Sequence, residues 1–153
     1  MTPVNSVLLI EDNPDHVLLI QTVLEECPDV QQVMVLTDGE QALSYVRAQG
    51  LLAAPGDLPG LVVLDLKLPK VDGLDVLRAM RASPQWCKVP VAVLTTSTRP
   101  SDEAASYSNG ANAYLVKVVQ PADLYTHLLD VVAQWLGRES GWECVTEKHL
   151  PLV

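Results

Sequence analysis

Short apolar runs alternate with helically spaced apolar positions along almost the whole chain. Val4 to Ile10 reads as a first strand. Pro14 then stands where the first turn of a helix needs no N–H, and Val17, Leu18, Ile20, Gln21 and Leu24 carry that helix to about Cys27. Val33 to Leu36 is a second strand, and Asp38-Gly39 turns the chain into a helix with Ala42, Leu43, Tyr45 and Val46 on its buried side. Residues 49–60, rich in Gly, Pro and Ala, predict an extended surface loop. Leu61 to Leu64 is an uninterrupted apolar run, the mark of a strand buried on both faces. Asp72-Gly73 opens a helix with Leu74, Val76, Leu77 and Met80, which ends near Ser83-Pro84. Pro90 to Thr95 is a fourth strand, and a polar helix from Pro100 to Asn109 is closed by Gly110, a suitable left-handed cap. Ala113 to Val116 and a helix from Pro121 with Leu124, Leu128, Val131, Val132 and Trp135 complete the pattern. Five βα units in succession imply an α/β fold, a parallel sheet with right-handed crossovers and helices on both faces. After Gly137 the rhythm stops, so residues 1–137 read as one domain and 138–153 as an extension with no output domain.

Composition narrows the function. At 153 residues and 48% hydrophobic, the chain supplies one sizeable core. Its net charge of -9 is the wrong sign for a nucleic-acid footprint, so no direct nucleic-acid binding is expected. Three widely spaced cysteines, Cys27, Cys87 and Cys144, imply neither a zinc site nor a disulfide framework and fit a reducing compartment. No signal peptide or membrane span is visible, which predicts a cytoplasmic protein. His127 follows the last helix's pattern and reads as a surface or half-buried residue rather than a phosphotransfer histidine.

The chemistry lies where strands end. The first strand finishes in Glu11-Asp12 and the third in Asp65. Each acid alone reads more readily as a helix cap or a solvated turn. Parallel strands, however, all end at one rim, where open α/β sheets bind ligands. Three carboxylates about 4 Å apart would repel by roughly 4 kcal/mol per pair at an effective dielectric of about 20. A hard divalent cation with oxygen ligands, most simply Mg²⁺, removes that penalty. The fourth strand adds Thr95 and the fifth Lys117 at the same rim. Acids, a hydroxyl and a cation around one metal suit a phosphoryl group, with an Asp carboxylate as nucleophile.

Glu11-Asp12, Asp65 followed by Pro69 and Asp72-Gly73, Leu94-Thr95, and Tyr114-Leu115-Val116-Lys117 together resemble the receiver domain of two-component response regulators. Thr95 follows Asp65 by 30 positions and Lys117 follows Thr95 by 22, intervals that suit that family. The 53 positions from Asp12 to Asp65 are long for it, and the Gly/Pro-rich loop accounts for the excess. The resemblance implies a flavodoxin-like sheet in the order 2-1-3-4-5. It implies Asp65 as phosphoacceptor, with Glu11, Asp12, Asp65 and the backbone carbonyl of Lys67 holding Mg²⁺. Thr95 and Tyr114 would be the switch pair, Lys117 would pair with the phosphoryl group, and the side chains of Lys67 and Ser97 would govern phosphate lifetime. The long loop, Leu64 to Lys70, Leu94 to Ser97 and the short tail are similar to the single-domain regulators paired with phytochrome-type histidine kinases. One departure is Val118, where the family usually carries proline; a cis bond there would cost roughly 2.5–4 kcal/mol, so trans is expected.

The expected function is therefore a stand-alone phosphoacceptor rather than an enzyme. An Asp-based phosphohydrolase needs a second acid two residues after its nucleophile, and Lys67 stands there. A receiver-like interaction module that is never phosphorylated is the other alternative, disfavoured by the intact Glu11, Asp12, Asp65, Thr95 and Lys117. The tail carries Trp142, Val145, Leu150, Leu152 and Val153, too apolar for a disordered end and too short to fold alone. With Val118, Val119 and the last helix it suggests a homodimer contact.

Overall fold

A computed structural model describes residues 5–52, 58–117 and 121–138. Five strands and five helices alternate: β1 (Ser6–Ile10), α1 (Pro14–Glu26), β2 (Gln32–Leu36), α2 (Gly39–Leu52), β3 (Leu61–Leu64), α3 (Gly73–Ala82), β4 (Val91–Thr95), α4 (Pro100–Ser108), β5 (Ala113–Val116) and α5 (Pro121–Trp135). All strand pairs are parallel and the order is β2-β1-β3-β4-β5. The expected doubly wound fold is present.

Alternation along the central strands divides the interior into two cores. Val7, Leu9, Leu61, Val63, Ala92 and Leu94 face one side, where α1 contributes Ile20, Val23 and Leu24 and α5 contributes Leu124, Leu128, Val131 and Val132. Leu8, Ile10, Val62, Leu64 and Val91 face the other, against Ala42 and Val46 of α2, Val76, Leu77 and Met80 of α3, and Trp86. Strands buried on both faces explain why β1, β3 and β4 read as continuous apolar runs.

Three expectations need correction. Residues 49–52 belong to α2 rather than to a loop. No proline interrupts that stretch before Pro55, so one glycine, Gly50, costing about 1 kcal/mol, did not stop the helix. Leu18 is 68% exposed, and Val23 fills the core instead. Cys27 is a buried free thiol while Cys87 is disulfide-bonded, which no cysteine spacing indicated. Val118 with its peptide bond, Val119 and the tail from 139 onward lie outside the described residues.

Candidate functional site

The sheet ladder carries the acids to one rim. Register pairs Ile10 with Leu64, Leu64 with Val93 and Thr95 with Val116. Hydrogen bonding runs one residue further: Glu11 N–H donates to Leu36 O at 3.0 Å, Asp65 N–H to Ile10 O at 3.0 Å and Lys117 N–H to Thr95 O at 2.7 Å. Close packing fixes Asp65 from behind, since Gly73 N–H donates to Leu66 O at 2.9 Å. A Cβ on Gly73 would lie 2.3 Å from Asp65 O, so only glycine lets α3 begin there.

Carboxylate oxygens of Glu11, Asp12 and Asp65 converge within 4.8 Å of one another. Glu11 and Asp65 are buried and Asp12 is half-buried. Lys117 reaches into this cluster from the end of β5. Its Nζ lies 2.5 Å from Glu11 Oε1, 3.1 Å from Asp65 Oδ2 and 3.0 Å from His16 Nδ1. The other Glu11 oxygen accepts from Asn13 N–H at 3.1 Å. Burial outweighs these partners and pushes the Glu11 carboxyl up to about 7, with the neighbouring Asp65 charge adding to the rise. An ammonium therefore supplies part of the compensation that three acids require, and oxygen-only donors at this spacing suit a hard divalent cation.

Thr95 is fully buried at the same rim, and its hydroxyl oxygen accepts from Ser97 N–H at 3.3 Å. Tyr114 stands apart from the acids, half-buried, with its hydroxyl donating to Ser97 O at 3.0 Å. Ser97 Oγ donates to Asp102 Oδ2 at 2.5 Å, which links this loop to the first turn of α4. That bond, followed by Arg99, holds the Asp102 carboxyl below its ordinary value. The Lys67 side chain is exposed, while its N–H donates to Asp65 Oδ1 at 3.2 Å. A cavity of ≈ 530 Å³ opens beside Asp12, with Lys67, Lys70, Arg99 and Asp102 on its walls. His16, Asn13 and Asp102 were not singled out from sequence as parts of this site. His16 lies four positions after Asp12 in the first turn of α1, a spacing that could have placed it at the rim.

Comparison with known proteins agrees with this geometry. The model of the response regulator receiver domain matches residues 7–129. The chain belongs to that family. Among curated relatives it is 40% identical over 131 residues to the probable methanogenesis regulatory protein FilR2 of Methanothrix harundinacea, covering 86% of this chain and 83% of FilR2. It is 35% identical over 134 residues to the response regulator Rcp1 of Synechocystis sp., covering 88% and 90% of the two chains. The Mn²⁺-bound structure of Rcp1 aligns at a TM-score of 0.75 with 34% identity, covering 86% of this chain and 94% of that one. The phosphorylated cyanobacterial phytochrome response regulator RcpA aligns at 0.78 with 32% identity, covering 88% and 95%. As a receiver domain the chain is a signalling phosphoacceptor, and its acid cluster fits the divalent metal that receiver domains bind.

Proposed function

We propose that this receiver domain takes a phosphoryl group from the phosphohistidine of a sensor histidine kinase onto Asp65, in a reaction dependent on Mg²⁺. The observation that carries the reading is the convergence of Glu11, Asp12 and Asp65 at one rim with Lys117 Nζ bonded to two of them. An Asp65 carboxylate oxygen attacks phosphorus, the bond to the kinase histidine breaks, and an acyl phosphate forms on Asp65. Glu11, Asp12, Asp65 and the Lys67 carbonyl are the residues that would hold Mg²⁺, which neutralises charge on the phosphoryl oxygens when bound. Lys117 supplies a second positive charge there. The buried Thr95 hydroxyl closes on the phosphoryl group, and Tyr114 follows through Ser97, to which both are bonded. Lys67 and Ser97 flank the approach of hydrolytic water and set the phosphate lifetime.

A phytochrome-type kinase in the cytoplasm is the partner we infer, a reading supported by the likeness to Rcp1 and RcpA. No nucleic-acid contact is part of it, in keeping with the net charge of -9. A homodimer is proposed through α5, the 118–119 loop and the tail, supported by Tyr107 and Tyr125 standing 44% and 37% exposed on α4 and α5. Incubation with Mg²⁺ and acetyl phosphate, read by intact mass, tests the central claim. Wild type gains one acid-labile phosphoryl group and Asp65→Asn gains none. A wild type that gains none leaves only a receiver-like interaction module. Transfer from candidate kinases tests the partner. Sedimentation of the full chain beside a variant ending at Gly137 tests the dimer, which fails if both are monomers.

A further inference from the structure

We propose that His16 is a positioning residue for Lys117, fixing where its ammonium points when the carboxylates of the site are engaged elsewhere. The inference deepens the phosphoacceptor reading and rests on it. A lysine ammonium has three N–H donors and no acceptor. Lys117 Nζ has three acceptors within reach: Glu11 Oε1 at 2.5 Å, Asp65 Oδ2 at 3.1 Å and His16 Nδ1 at 3.0 Å. Every proton of the ammonium is thereby used, and the lysine has one orientation rather than several. His16 Nδ1 lies 3.8 Å from the nearest Glu11 oxygen, too far for it to donate there. It therefore accepts from Lys117, with the ring proton on Nε2.

The three acceptors differ in what else claims them. Glu11 and Asp65 belong, with Asp12, to the carboxylate set that converges within 4.8 Å, a set to which His16 contributes no atom. A bound cation would draw on oxygens of Glu11 and Asp65, and phosphorylation turns an Asp65 oxygen into the bridging oxygen of an acyl phosphate. The His16 lone pair is the acceptor that neither event removes. Its imidazole is well placed to keep that role. His16 sits in the first turn of α1, its N–H accepted by the Asn13 cap at 3.3 Å, and its side chain is 36% exposed. The ring is anchored by the helix start without being locked in the core, so its replacement leaves both hydrophobic cores untouched.

The test compares His16→Leu, which has no acceptor, with His16→Asn, whose amide oxygen can stand where Nδ1 stands. Two readouts are taken on the full chain. The first is the ¹⁵N–¹H signal of the Lys117 ammonium at saturating Mg²⁺, where the carboxylates are engaged elsewhere, observable while its protons are held by acceptors. The second is the rate of phosphorylation by acetyl phosphate at saturating Mg²⁺, followed by intact mass. The expected result is loss of the Lys117 signal and about a tenfold slower phosphorylation in His16→Leu, the size of one charge-assisted hydrogen bond. His16→Asn is expected to keep the signal and stay within about twofold of wild type in rate. The proposal is overturned if His16→Leu keeps either the signal or the wild-type rate, or if His16→Asn is as impaired as His16→Leu. A wild type that takes no phosphate overturns the phosphoacceptor reading itself, and with it the use of Lys117 to which His16 is assigned.

Discussion

Two cations, Arg81 buried and Lys117 half-buried, hold opposite ends of the same sheet, and they are neutralised in different ways. At the C-terminal rim, Lys117 is surrounded by carboxylates, its Nζ bonded to Glu11 and Asp65. At the N-terminal ends of β4 and β5, Arg81 is 2% exposed and has no ion pair among the described residues. Its guanidinium donates instead to backbone carbonyls, with Nε and Nη2 on Gly110 O and Nη1 on Trp86, Cys87 and Val89 O. Nη2 also reaches Asn112 Oδ1 at 3.1 Å. Burial lowers the Arg81 value to about 10, which still leaves it charged at neutral pH. Fixed carbonyl dipoles have no other ligand to serve, so Arg81 is a permanent staple between α3, the 84–89 turn and the turn before β5. Carboxylates can exchange their counter-ion, so Lys117 occupies a site that a metal and a phosphoryl group can rearrange. One charge has partners nothing else can claim, the other has partners that a divalent cation can draw on.

Removing each charge should break the comparison open. Arg81→Ala leaves several buried carbonyls unpaired and is expected to cost about 4 kcal/mol in urea unfolding, with no recovery on adding Mg²⁺. Recovery with metal would mean that the two ends are coupled. Glu11 gives the next largest effect, through pH. Its folded value of about 7 lies above the ordinary 4.5, so its contribution is fully present below pH 4.5 and is lost as pH rises through 7. In EDTA, wild type should therefore lose about 3 kcal/mol relative to Glu11→Gln between pH 4 and about 8. Parallel pH profiles for the two proteins would show that Glu11 ionises normally. Saturating Mg²⁺ should shrink the difference, because the metal favours the ionised carboxylate.

Lys117→Met should cost about 2 kcal/mol in EDTA and much less in Mg²⁺, since the cation takes over the charge. An equal loss in both conditions would make Lys117 a staple like Arg81. The smallest effect is kinetic. Lys67→Ala, an exposed side chain, should change the acyl-phosphate lifetime about threefold while leaving Mg²⁺ affinity unchanged, because only the backbone of Lys67 is asked to bind metal. A lifetime identical to wild type removes that side chain from the mechanism.

The difference between the two cations also marks what was legible in the sequence. Strand periodicity and the acids closing β1 and β3 were enough to place Glu11, Asp12 and Asp65 together, because parallel strands must end at one edge. Thr95 and Lys117 followed by the same rule from β4 and β5. Arg81 was invisible: an arginine near the end of an amphipathic helix reads as a solvated residue, and only the packing of turns around residues 86–89 and 110–112 buries it. Gly110 was legible as a helix cap at φ 102°, but not as the place where Arg81 lies, 2.7 Å from where a Cβ would stand.

What the amino-acid order determined by itself was local and periodic: which residues form strands, which helix faces turn inward, and which rim receives the carboxylates. What only the tertiary structure decided was which charge answers which. Lys117 and Glu11 are 106 positions apart, Lys117 and His16 101, and Arg81 and Gly110 29. The reason is physical. Apolar burial depends on a pattern that repeats every two or 3.6 residues and is written along the chain. A buried charge is stabilised by a few donors and acceptors at hydrogen-bond distance, and those meet only when separate elements pack.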